Sequence, residues 1–117
     1  MNFTYTQEQA GKILIVRLIG ELIEKDQANK MLTEISNQLD QERQKLVLEL
    51  SELKYMNSSG LNVLITLLTR ARKAGGDVAI AAVTSKVKDL LLITKLNTVF
   101  NVSDTLESAI QYLSTKE

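Results

Sequence analysis

Two adjacent hydroxyls, Ser58 and Ser59, lie in the run Met56-Asn57-Ser58-Ser59-Gly60-Leu61, just ahead of a strongly apolar stretch. A serine hydroxyl does chemistry in one of two ways. It attacks a substrate itself, or it accepts a group delivered by another protein. Attack requires a nearby base to take the proton, most often histidine. The 117-residue chain has no histidine and no cysteine, and no Gly-x-Ser-x-Gly elbow surrounds either serine. No catalytic residue is therefore expected, and the chain does not read as an enzyme. Phosphate acceptance is the chemistry left: it adds about −1.5 to −2 charges and three acceptor oxygens. Free amides and the positive dipole end of a helix N-terminus stabilise such an anion without altering the fold. The plainer role is a cap, with Asn57 or Ser58 accepting from a first-turn amide, worth about 1 kcal/mol. From the residues alone both roles stay open.

The remaining composition narrows the partners. With neither histidine nor cysteine, a metal site could use only oxygen ligands. Glu21 and Asp26 are two carboxylates, too few for a good magnesium or calcium site, so no metal and no cofactor are expected. Fourteen basic residues balance 14 acidic ones, which argues against nucleic acid, because phosphate neutralisation supplies most of that affinity. No P-loop pattern occurs. The opening MNFTYTQEQAG lacks a basic region followed by an apolar core, so no signal peptide is expected. The longest apolar runs fall far short of the roughly 20 residues that span a bilayer. The expectation is a small soluble protein of the cytoplasm, off the membrane, in one domain over 1–117.

The elements that must position the hydroxyls follow from periodicity. Residues 3–9 alternate as an edge strand and turn at Ala10 and Gly11 into KILIVRLIG, 12–20, a buried strand. Ala28, Met31, Leu32, Ile35 and Leu39 recur at helical spacing behind Asp26 as a cap. KLVLEL, 45–50, is a second buried strand, and SELKYMN reads as the loop into the serines. Tyr55 and Met56 in that loop read as packing residues. Leu61, Leu64, Ile65, Leu67, Leu68 and Ala71 form a broad helix face, closed by Arg70, Arg72, Lys73 and then Gly75. A third buried strand is expected over 77–83, a helix capped by Ser85, a short strand over 98–102, and a last helix capped by Asp104. Helices alternating with buried strands predict an α/β domain: a mixed, mainly parallel sheet packed by about four helices.

Three stretches, 20–28, 46–83 and 87–110, resemble bacterial anti-sigma factor antagonists of the STAS domain family. The resemblance runs over nearly the whole chain and is strongest at Ser58-Ser59-Gly60-Leu61. It implies partner switching. In this family the unphosphorylated antagonist binds an anti-sigma factor, a serine kinase with a histidine-kinase-like ATPase fold, and the sigma factor is released. The kinase phosphorylates the first hydroxyl of the turn, and a PP2C-type phosphatase reverses it. Carried onto this sequence, the acceptor is Ser58, with Asn57, Ser59 and Gly60 shaping the loop. Partner contacts are implied at Glu21, Leu22, Asp26 and Asn62, and the free protein is taken as a monomer. Many members carry aspartate where this chain has Asn57. The alternative within the same fold is a non-phosphorylated adaptor or structural subunit of a transport or signalling complex.

Overall fold

The computed structural model describes residues 2–42 and 45–115, with the backbone alone for 40–42. Five strands form one sheet in the order β1-β2-β3-β4-β5, comprising Phe3–Ala10, Ile13–Leu22, Lys45–Met56, Val78–Ala81 and Asn101–Ser103. β1 pairs antiparallel with β2, and every other pair is parallel. The helices are α1 (Asn29–Glu42), α2 (Ser58–Lys73), α3 (Ser85–Ile93) and α4 (Leu106–Ser114). The expected mixed, mainly parallel α/β sheet with four helices is what the chain forms.

The two faces of the sheet are covered unequally. Leu14, Val16 and Leu18 of β2 point into a large core with α1, α2 and α3, while Ile13 and Ile15 meet Ala109 and Leu113 of α4. Central strands buried on both sides read as continuous apolar runs, which is why they stand out in the sequence. The polar pair of the sheet, Arg17 and Glu49 at 2.7 Å, continues the row of Ile15 and Val47 beyond α4. Burial pushes the Glu49 carboxyl up, but hydrogen bonds from Ser51 and Arg17 outweigh it and leave the group below its usual range.

Several boundaries differ from expectation, each for a local reason. Residues 51–56 continue β3 rather than forming a loop, because β2 keeps pairing with them as far as Leu22 with Met56. Irregularities between Arg17 and Ile19, and between Gly20 and Glu21, break the alternation there. Thr84 caps α3 in place of Ser85, since its hydroxyl accepts from the Val87 amide while donating to the Leu53 carbonyl. Thr105, not Asp104, caps α4 by accepting from the Ser108 amide at 3.1 Å. Asp26 caps nothing: it lies inside a short 3-10 turn, residues 25–28, that precedes α1. Another 3-10 turn takes 96–98, so β5 begins only at Asn101.

What this frame does for the serines is set by the β2–β3 pairing. Both strands are parallel, so the segments leaving their carboxyl ends emerge side by side. One is the segment from Ile23 into the 3-10 turn, and the other is the start of α2. Gly20 allows the first segment to leave: at φ +101° it lets the Asn2 carbonyl reach the Glu21 amide at 2.9 Å. Helix α2 is held by Leu61, Val63, Leu64, Leu67 and Leu68, all buried, at about 1.5–3 kcal/mol each. Its cap contributes only about 1 kcal/mol. Chemistry at the first turn can therefore change without dislodging the helix.

Candidate functional site

β3 ends at Met56, and Asn57 turns the chain with φ −108° and ψ −167°. The Asn57 Oδ1 accepts from the Gly60 amide at 3.1 Å, and the Leu61 amide donates to the Asn57 carbonyl at 2.9 Å. Asn57 is thus the cap. Ser58 and Ser59 follow as the first helical residues, both exposed. Neither hydroxyl makes a hydrogen bond within the protein among the described residues. No acidic side chain lies in the first turn of α2, so the positive end of its dipole meets no carboxylate of that turn. Of the two roles the residues allow, Asn57 takes the cap and leaves the serine hydroxyls unengaged.

Gly60 is required by a close approach rather than by its backbone angles. A Cβ there would lie 2.4 Å from the Leu22 carbonyl oxygen, 3.0 Å from the Met56 Cβ and 3.1 Å from the Leu22 Cγ. The first turn of α2 is pressed directly onto the end of β2. The Asn57 amide donates to the Leu22 carbonyl at 3.4 Å across the same junction.

The neighbouring segment is held from two sides. The Gln27 Oε1 accepts from the amides of Ile23 at 2.9 Å and Glu24 at 3.0 Å, and its Nε2 donates to the Glu21 carbonyl at 3.3 Å. From the α2 side, the Asn57 Nδ2 donates to the Ile23 carbonyl at 3.0 Å. Lys25 then stands across a groove of about 250 Å3 that it lines with Ser59, Asn62, Val63 and Thr66.

The expected site residues therefore divide. Asn57, Ser58, Ser59 and Gly60 form one turn; Ser59 and Asn62 share the groove with Lys25; Glu21 lies half-buried opposite Tyr55 in the sheet register. Asp26 is exposed on the 3-10 turn. Leu22 is different: its side chain is wholly buried in the core, so it supports this surface from beneath and cannot itself touch a partner. Tyr55 moves the other way. It was expected to pack, yet it is 46% exposed, while Met56 beside it is buried. Lys25 had no signal in the sequence beyond its charge. Among the described residues no cluster of three or more acidic side chains could hold a metal, and no helix is long and apolar enough to cross a membrane.

The sequence matches the STAS domain over residues 5–109. It is 31% identical over 115 residues to the anti-sigma F factor antagonist of Paenibacillus polymyxa, covering 97% of each chain. Among solved structures it resembles the anti-sigma factor antagonist SpoIIAA in its unphosphorylated form, with a TM-score of 0.82 at 18% identity. That likeness covers 97% of this chain and 99% of the other. The phosphorylated form of SpoIIAA, the Bacillus cell fate determinant, gives a TM-score of 0.70 at 18% identity over 93% of this chain and 98% of that one. At such identities the two superpositions speak for the fold alone. The sequence match and the shared fold agree: this chain belongs to the STAS domain family, alongside the anti-sigma factor antagonists.

Proposed function

We propose that the protein is an anti-sigma factor antagonist that works in its unphosphorylated form and is switched off by phosphate on Ser58. The observation that carries this reading is the division of labour at the turn. Asn57 supplies the cap oxygen, so the exposed Ser58 hydroxyl has no structural task and is accessible to a kinase. The partner is an anti-sigma factor that is itself a serine kinase of the histidine-kinase-like ATPase fold, and a PP2C-type phosphatase restores the active form. Partner and antagonist meet in the cytoplasm, over the turn from Asn57 to Gly60, the exposed Asn62 and Asp26, and the edge of Glu21. Free amides at the α2 N-terminus tolerate the phosphate within this chain. Against an apposed protein surface the same phosphate meets desolvation and like-charge repulsion.

The test is a phosphotransfer reaction. The full chain is incubated with the ATPase partner and ATP, and its intact mass is followed. Wild type and Ser59→Ala are expected to gain one phosphate, and Ser58→Ala none. If Ser58→Ala still gains a phosphate, Ser58 is not the acceptor. If no form gains one, the adaptor reading of the same fold takes its place.

A further inference from the structure

The residue before Ser58 is an amide, Asn57, and both ends of that amide are used. The Gly60 partner is an N–H, so it must be met by the Asn57 oxygen at 3.1 Å. The Ile23 partner is a carbonyl, so it must be met by the Asn57 NH2 at 3.0 Å. The chemistry of the two partners fixes which way the amide points. One side chain thereby ties the first turn of α2 to a segment 34 residues away in sequence. Ile23 is also where the Gln27 side chain holds the segment from its other side. Lys25 of this segment stands on one side of the groove, and Ser59 and Asn62 stand on the other.

We propose that Asn57 is a positioning residue whose donor NH2 locks the Ile23–Asp26 segment against the phosphoacceptor turn. The lock needs an amide, so aspartate would keep the cap and lose the lock. An ionised carboxylate accepts from Gly60 as well as an amide does, but its second oxygen then faces the Ile23 carbonyl with no proton between them. Two facing acceptors repel, and the segment swings away from the turn. The purpose assigned to the lock, a fixed spacing between the two halves of a partner surface, rests on the function proposed above. The lock itself does not.

The experiment is amide hydrogen exchange of the free full chain, wild type against Asn57→Asp. The amides of Ile23, Glu24 and Gln27 are expected to exchange about tenfold faster in Asn57→Asp, the factor one lost hydrogen bond supplies. Those of Leu64 and Leu67, within α2, keep their wild-type rates. Acid separates the lock from a general loosening. Protonated aspartate has an O–H that can donate to the Ile23 carbonyl, so the variant-to-wild-type ratio falls toward one below about pH 4. The titratable groups around the lock are Glu24, Lys25 and Asp26 on the segment, Glu21 at the end of β2, and Lys54 and Tyr55 on β3; the first turn of α2 has none. All are common to both proteins and cancel in the ratio. Asn57→Ser, which retains a capping oxygen too short to reach Ile23, is expected to show the acceleration at every pH. Unchanged exchange in Asn57→Asp, or an acceleration that acid does not reverse, overturns the lock. Neither readout involves Ser58 phosphate, so failure here leaves the switch standing, and failure of the switch leaves the lock.

Discussion

Gly60→Ala is expected to lower the stability of the domain by about 2–3 kcal/mol, a fall of roughly 10 °C in Tm for a domain of this size. The direction is the informative part. In a helix alanine is ordinarily better than glycine by about 1 kcal/mol, so helix propensity alone predicts stabilisation. Packing predicts the reverse, because the added methyl would sit 2.4 Å from the Leu22 carbonyl oxygen. That oxygen belongs to the backbone of β2 and cannot swing aside like a side-chain tip. Relief would require the first turn of α2 to lift from the strand, carrying Asn57 and both serines with it. Thermal unfolding monitored by circular dichroism decides the matter, and an alanine variant as stable as wild type would contradict the close approach.

The largest effect on function is expected from Ser58→Asp. The substitution leaves the fold intact, since Ser58 is exposed and makes no hydrogen bond that the change could break. Tm should stay within a few degrees of wild type. Binding to the proposed ATPase partner should fall about 100-fold, equivalent to roughly 3 kcal/mol, because in the proposed complex a carboxylate replaces a neutral hydroxyl at a closely packed surface. Ser58→Ala should bind as wild type does, which separates loss of the hydroxyl from gain of charge. Titration calorimetry against the purified partner reads all three affinities. Wild-type affinity in Ser58→Asp would show that charge at this position does not govern binding.

Much of the fold was legible because its central strands are buried on both faces and its helices on one. Continuous runs such as Ile13–Val16 and the stripe of Leu61, Leu64, Leu67, Leu68 and Ala71 carry their own periodicity. Legibility ends where a tertiary contact overrides a local pattern. The end of β3 read as a loop because the irregularities in its pairing with β2 replace simple alternation with buried Leu53 and Met56 three residues apart. The extra residues of β3 at these irregularities turn Tyr55 outward, whereas Leu22 keeps the inward parity of Leu14, Val16 and Leu18 along β2. The caps fell one residue away from expectation at Thr84 and Thr105, where Ser85 and Asp104 were equally good cap formers by type. At the site, the sequence offered Asn57 and Ser58 as rival caps. Only the position of the Ile23 carbonyl, brought in from β2, explains why the residue at 57 uses both ends of its amide. The choice of Ser58 over Ser59 came from the family resemblance. The geometry adds that Ser59 shares the groove with Lys25 and that both hydroxyls are exposed.

The central claim is that Ser58 is the residue on which the cell writes the off state. Phosphopeptide mapping of the full-length protein taken from its native cell, with and without phosphatase treatment, reads it directly. The account predicts one phosphate, on Ser58, removed by a metal-dependent phosphatase. Phosphate found on Ser59 and not on Ser58, or a protein unphosphorylated in every growth condition sampled, would contradict it.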